Sequence, residues 1–440
     1  MQQVILLELN EINFEYVEHY IGQGKLPNFK SLIRTYGVRK TTSEARYEDI
    51  EPWIQWVTAH TGLMLSEHGV FRLGDIEGRD LYQIWEMLED SGVTIGAVCP
   101  INASNMTKNA KFFIPDPWTN TRITGSFLIR KLYAAISQAV NENSESRIAL
   151  DSAFWLLIGA ITYARPANYL RYFALATMAI RKSWPKAIFL DLLLSDVFVQ
   201  LTKRKRPLFA TLFLNAGAHI QHHYLFNSPA YKGDQKNPMW YARKEDDPVF
   251  TVYSAYDDIL GTIFASFPGA RFIVATGIHQ DPHPETTFYW RLKDHAAFLH
   301  SIGLEFEEVL PRMSRDFLIR CKDRDSATVV EQVLLEAKGP DGLQLFSVDN
   351  RGKDLFVMLI YANDIGIDFK FMVNGRTVED FRKLVSFVAI KNGQHNSDGY
   401  LVDSGHIVDE GAASVPLASL PDIVKSAFQN HADRKESPRT

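Results

Sequence analysis

The residues with most chemistry to offer fall in a few short stretches of this 440-residue chain. One runs from Asn215 through Ala216, Gly217 and Ala218 to His219, with His222 and His223 close behind; another holds His395, Asn396, Ser397 and Asp398. Imidazole with a neighbouring amide can bind one transition metal, and His222 and His223 add donors that a substrate could meet. His279, Gln280, Asp281, Pro282 and His283 alternate as His-x-Asp-x-His, a spacing that can converge on a second ion. The same composition makes an ordinary polar loop, and that is the favoured reading. Glu48, Asp49 and Glu51 precede a helix opening at Pro52. Glu51 can act as ligand, general base or carboxylate nucleophile, although acids before a helix are also favoured by its dipole. Trp53 and Trp56, at i and i+3, can stack on a sugar ring or seal a core. Core is the favoured reading, with Trp56 kept as a substrate contact.

Something must hold these stretches together. Four apolar, β-branched-rich runs, Val4–Leu9, Val93–Cys99, Leu208–Leu214 and Arg271–Thr276, have the pattern of strands buried on both faces. Between them lie helical patterns over Asn13–Ile21, Leu26–Gly37, Ile54–Thr61 and Leu81–Ser91, the last stopped by Ser91-Gly92. Strands alternating with helices argue for parallel βαβ units. From Thr121 to Arg206 the pattern is helical, broken at Pro166 and Pro185, as in an insertion or cap. Phe317 to Phe371 reads as a strand, a helix (Ala327–Ala337) and three more strands, with a hairpin turn at Asp349-Asn350-Arg351-Gly352. The expected division is a core over 1–120, 207–300 and 385–430, a helical insertion over 121–206, an α+β subdomain over 301–384, and a flexible tail over 431–440.

An ordered series of motifs then resembles the type I phosphodiesterase/nucleotide pyrophosphatase branch of the alkaline phosphatase superfamily. Ile5-Leu6-Leu7-Glu8-Leu9-Asn10-Glu11 stands where that family has its first buried strand. Leu26-Pro27-Asn28-Phe29, Leu32, Gly37, Thr61-Gly62 and His68-Gly69 follow in the family's order. Ile114-Pro115-Asp116-Pro117-Trp118 resembles its Pro-Asp-Pro turn, Asn215 to His219 its Asp-x-x-Gly-His metal motif, Tyr256 to Leu260 the helix after it, and His395 to Gly399 its late ligand segment. The resemblance implies an alkaline-phosphatase-like, mostly parallel sheet flanked by helices, with divalent cations at the carboxyl ends of the strands. Such ions neutralise a phosphoryl group and activate a nucleophile.

The chain departs from that pattern. The first Asp corresponds to Asn10 and the second motif's Asp to Asn215; an amide oxygen can ligate but brings no charge. Ser-Asp-His-Gly falls at Thr276-Gly277-Ile278-His279, and the nucleophile falls on Pro52, which cannot attack. The ligands left in register are Asn215, His219 and His395, enough for one divalent ion, zinc or manganese. Glu51 and Asn10 stand where catalytic groups would, and Asn10, Asn215 and Gly277 should cluster at the strand ends.

Composition is that of an ordinary globular protein, 46% hydrophobic and 22% charged, with a net charge of −5. The charge is uneven: residues 121–206 carry 13 Lys/Arg against 5 Asp/Glu, so +8 there and −13 elsewhere. A basic, amphipathic insertion fits an anionic small-molecule or lipid-linked substrate, or peripheral contact with a membrane; nothing points to nucleic acid. Two cysteines, Cys99 and Cys321, make neither a disulfide framework nor a zinc knuckle. The N-terminus lacks a signal peptide's basic lead and cleavage site, and Ala153–Ala164 is too short to span a bilayer; a cytoplasmic, membrane-peripheral protein is expected. The reading is a metal-dependent hydrolase or transferase acting on a phosphate or sulfate ester. The alternatives are a degenerate relative that binds such a ligand without turnover, and a scaffold.

Overall fold

The computed structural model describes residues 1–141, 149–311, 315–409 and 411–429, so the tail expected over 431–440 lies outside the described residues. Eight strands form the main sheet: β1 (Val4–Leu9), β2 (Arg39–Thr42), β3 (Ile95–Val98), β4 (Phe112–Ile114), β5 (Phe209–Leu214), β6 (Arg271–Ala275), β7 (Asp398–Asp403) and β8 (Val415–Pro416). Their order is β8-β2-β7-β6-β1-β5-β3-β4. β1 pairs in parallel with β5 and β6, and β3 in parallel with β5 and β4, while β7 runs antiparallel to β6 and β2. The four expected strands are therefore neighbours and parallel. Every residue of β1, β5 and β6 is buried, which is why each reads as an unbroken apolar run rather than an alternating one.

One residue breaks the apolar run of β1. Glu8 is fully buried and faces His60, whose Nε2 lies 3.1 Å from Oε2, while Thr211 donates to the other carboxylate oxygen. His60 sits near the end of the Pro52–Thr61 helix, so this buried pair ties that helix to the central strand. A buried charge is tolerable only when paired in this way. Pro at the helix start and Gly62 at its end, with φ of 77°, set its limits.

The described residues divide into two compact units: those within 1–233, 239–282 and 393–429, and those within 234–238 and 283–392. The first holds the eight-stranded sheet and the insertion helices Phe127–Asn141, Leu150–Tyr163, Tyr169–Ala179 and Pro185–Lys205. The second has a four-stranded antiparallel sheet formed by Glu308–Pro311, Asp316–Arg320, Phe346–Asn350 and Asp354–Leu359. The Arg324–Glu336 helix packs on it, and its core includes Phe317, Ile319, Leu334 and Val357.

The His-x-Asp-x-His stretch is not the polar loop favoured from its composition. It opens a 14-residue strand, His279–Leu292, that belongs to a two-stranded sheet with Val385–Asn396. Pro282 and Pro284 cannot donate to a ladder, and a two-stranded ribbon, all edge, is where a strand tolerates them.

Candidate functional site

The carboxyl ends of β1, β5 and β6 meet at one place. Asn10 extends β1 by one residue, its N–H donating to Leu214 O at 3.0 Å; Glu11 follows, its N–H donating to Thr276 O at 3.0 Å. Asn10 is buried and its amide is spent on neighbours. Nδ2 donates to Asn215 Oδ1 (2.8 Å) and Glu11 Oε1 (3.1 Å), and Oδ1 accepts from Trp56 Nε1 (2.7 Å). Trp56 is fully buried, edge-on to Phe213, so it supports Asn10 and offers no face to a substrate. A Cβ at Gly277, which has φ of 72°, would come 3.0 Å from the Trp56 ring. Asn215 and Gly277 are thus joined through Asn10 and Trp56, as the strand order requires.

The amide pair changes what this position can do. Two aspartates 2.8 Å apart would repel and call for a cation between them; two asparagines satisfy each other by a hydrogen bond. The charge has moved to the next residue. Glu11 has φ of 59°, a left-handed conformation unusual for a residue with a side chain. It is clamped there by its N–H to Thr276 and by Gln221 Nε2 donating to its carbonyl at 2.8 Å.

Glu11 Oε2 lies 3.1 Å from His222 Nε2 and 3.2 Å from His395 Nε2, and the two Nε2 atoms are 3.2 Å apart. Gln280 Nε2 donates to the same oxygen at 2.6 Å. Burial alone would raise the Glu11 carboxyl, but the charges of and hydrogen bonds from His395 and His222 outweigh it and hold the group far below the usual carboxylate range. Among the described residues this is the one trio of His, Cys, Asp or Glu whose ligand atoms come together closely enough for an ion. The donor set fits one. A tetrahedral ion with bonds of about 2.0–2.1 Å keeps its ligands about 3.3 Å apart, near the spacing seen here, and two histidines with one carboxylate are a familiar catalytic zinc set. Two imidazole nitrogens that face each other and one carboxylate oxygen have a shared reason to do so if all three give lone pairs to a cation.

Each ligand is placed by a different element. His222 lies on the Ala216–Tyr224 helix, whose first turn is held from beneath. Asp191 Oδ2 accepts from Ala216 N (2.7 Å) and Tyr256 OH (2.6 Å), and Gly217 N donates to Tyr256 OH (2.9 Å). Burial pushes the Asp191 carboxyl up to about 7, against the hydrogen bonds from Tyr256 and Ala216. His395 comes from the end of the Val385–Asn396 strand. Gly393, two residues earlier, passes so close to Gln280 that a Cβ there would stand 2.1 Å from Gln280 Oε1.

The other residues singled out by type and spacing have different places. His219, one turn before His222, is exposed, its ring 5.0 Å from that of His223; it is outside the Glu11 trio. His223 is half-buried, its ring 6.1 Å from that of His222. Glu51 does reach the cluster: its Oε2 is 3.6 Å from His395 Nδ1, the ring nitrogen turned away from Glu11. Asp49 instead accepts from Arg46. His279 pairs with Asp281 at 3.3 Å, and its Nδ1 meets Asp398 O at 2.7 Å. With Asn396 donating to it as well, Asp281 is held below its ordinary range, the His279 contact leading. His283 belongs to the second unit, where Nδ1 meets Glu285 O.

Motif register alone does not reveal Glu11, because it lies one residue past the matching position. The available signal was a carboxylate directly after an amide at the end of a buried strand.

No protein-family model and no curated protein matches the chain. Solved structures do. Phosphonoacetate hydrolase from Sinorhizobium meliloti 1021, in complex with phosphonoformate, is 12% identical with a TM-score of 0.44, covering 97% of this chain and 96% of that one. Human ectonucleotide pyrophosphatase/phosphodiesterase 5 is 12% identical with a TM-score of 0.44, over 97% and 95%. An inactive form of the murine protein in complex with AMP is 10% identical with a TM-score of 0.45, over 98% and 95%. A mostly parallel sheet flanked by helices is the architecture expected from the motif series.

Proposed function

We propose that the protein is a metal-dependent hydrolase or transferase acting on a phosphate or sulfate ester, with its centre at Glu11, His222 and His395. The observation that carries this reading is the convergence of those three side chains, from residues 11, 222 and 395, on spacings of 3.1–3.2 Å. One divalent ion, zinc or manganese, would be held there by one carboxylate and two imidazoles. Bound, it would supply Lewis-acid polarisation of an ester oxygen.

The chain's own groups supply the rest. Glu51, one-third exposed beside His395, would take a proton from an attacking water or hydroxyl and orient the His395 ring through Nδ1. His223 would offer a donor to the ester's anionic oxygens, and His219, with Asn215 at the head of their helix, would complete that polar face. Asn10 keeps Glu11 and Asn215 in place without touching substrate. An anionic small molecule or a lipid-linked ester suits this site.

A second reading has its own support. Pro52 occupies the nucleophile's register at the first position of its helix, so no hydroxyl can form a covalent intermediate there. A protein that binds a phosphorylated ligand without turnover accounts for that. Metal content of the purified protein, with a screen of nitrophenyl phosphate mono- and diesters and nitrophenyl sulfate, separates the two. Metal-dependent turnover abolished by His222→Ala supports the enzyme. A ligand-induced rise in Tm with no turnover supports the binder, and absence of metal from the wild type after zinc or manganese loading overturns the metal-dependent enzyme.

A further inference from the structure

The insertion helices carry a surface the ester reading does not use. On the Leu150–Tyr163 helix, Leu150, Phe154, Leu157 and Ile161 follow one another at i, i+4, i+7 and i+11, one stripe of a helix. They are 52% to 90% exposed. On the next helix, Tyr169–Ala179, Leu170 is 84% and Phe173 69% exposed. Scattered single apolar residues at a surface need no explanation, but a run along one helix face does.

These helices are not loosely attached. The buried Asp196 carboxylate gathers the turn between them, accepting from Arg165 N, Asn168 Nδ2 and Tyr172 OH, each at 2.9 Å. Ser152, Gly159 and Tyr163 bury the opposite face of the first helix, and Tyr172 and Leu175 that of the second. The fold holds the apolar faces outward.

Charge says what they face. The region carries +8 while the remainder carries −13. Among its described residues Asp151 is the one exposed acid, Asp191 and Asp196 being buried. Arg130, Arg181 and Lys186 are exposed, and Lys131 Nζ lies over the Phe127 and Trp155 rings at 5.7 and 5.6 Å. An anionic surface would draw this region in and turn the rest away. Among the described residues no helix is long and apolar enough to cross a membrane, and the Leu150–Tyr163 helix is about 21 Å long, suited to lying in the plane of the head groups.

We propose that the outer faces of the Leu150–Tyr163 and Tyr169–Ala179 helices dock the protein on an anionic lipid bilayer. Aliphatic and phenyl side chains enter the head-group boundary, and arginines and lysines meet lipid phosphates. This does not depend on the metal centre or on turnover.

Flotation of the full chain with vesicles tests it, using equal parts phosphatidylcholine and phosphatidylglycerol against phosphatidylcholine alone. The wild type should float with the anionic vesicles and much less with the neutral ones, and raised salt should weaken it. Leu157→Glu with Leu170→Glu should cut binding about a hundredfold, roughly tenfold or more for each lost side-chain insertion. Both sites are exposed, so circular dichroism should be unchanged. Arg130→Glu with Arg181→Glu, which leaves the apolar stripe intact, should weaken anionic binding and spare the little neutral binding there is. A wild type that stays in solution with anionic vesicles overturns the proposal, as does a Leu157/Leu170 variant that floats like wild type. A wild-type dimer that the leucine variant makes monomeric, with no vesicle binding, overturns it too and assigns the face to a second copy.

Discussion

Asn10 donates a hydrogen bond to Asn215 across 2.8 Å, joining the carboxyl ends of two neighbouring parallel strands by amides alone. Neutrality is the point of this contact. Asn10→Asp with Asn215→Asp would set two carboxylates against each other beside Glu11. In chelator the double variant should lose about 3–5 kcal/mol of stability, the scale for leaving buried charge uncompensated. Added zinc or manganese should restore more of it than the same ion adds to wild type. Urea unfolding with and without metal checks this; a double variant as stable as wild type in chelator would remove the amide pair's role.

The position of the ion can be read from single variants. Removing one ligand of three should lower zinc or manganese affinity at least tenfold, the lower end of what even a supporting residue costs. Calorimetric titration should therefore show the loss for His222→Ala, His395→Ala and Glu11→Gln, with His219→Ala near wild type. The reverse ranking would return the centre to the register of Asn215 and His219.

Glu51→Gln distinguishes two jobs. As a base, Glu51 acts on turnover, and kcat should fall about a hundredfold or more with metal affinity nearly unchanged. As the partner that orients His395 from 3.6 Å, its loss should weaken metal binding by about ten- to a hundredfold, with kcat recovering in excess metal. The side chain is one-third exposed, so the variant should fold normally.

The buried Asp191 makes a pH prediction. Burial raises its carboxyl from the ordinary aspartate value of 3.8 to about 7, so the native state binds this proton more tightly than the unfolded chain. Its contribution is therefore fully present below about pH 4 and fades as pH rises towards 7. Asp191→Asn keeps an oxygen for Tyr256 OH and Ala216 N but cannot ionise. Its stability relative to wild type should grow between pH 4 and 7 and level off above, at a few kcal/mol at most, given about 1.4 kcal/mol per pKa unit. Parallel denaturation curves with a constant offset across that window would contradict it.

The sheet was legible because burial on both faces leaves a plain mark. Val4–Leu9 has the expected limits, and the other three strands differ by one or two residues at their ends. Short polar strands leave no such mark: β2, Arg39–Thr42, lies between β8 and β7 with only Thr41 buried. His279–Leu292 carries two prolines and reads as loop, and only its ribbon partner makes it a strand. At the site, motif register singled out His395 as a ligand and the start of the Pro52 helix singled out Glu51, while His222 was read only as a substrate contact. Glu11 escaped because spacing along a strand fixes where a side chain points only while the strand continues, and the backbone turns left-handed at that residue.

That turn sets stability against use. A left-handed conformation costs a residue with a side chain about 1–3 kcal/mol, which glycine at position 11 would relieve and asparagine would ease. The burial of the carboxylate is more than offset by His395 and His222, so either substitution would relax the turn only by giving up the ion pairs and the trio's one carboxylate together. In a mutational library ranked by metal retention, position 11 should keep glutamate.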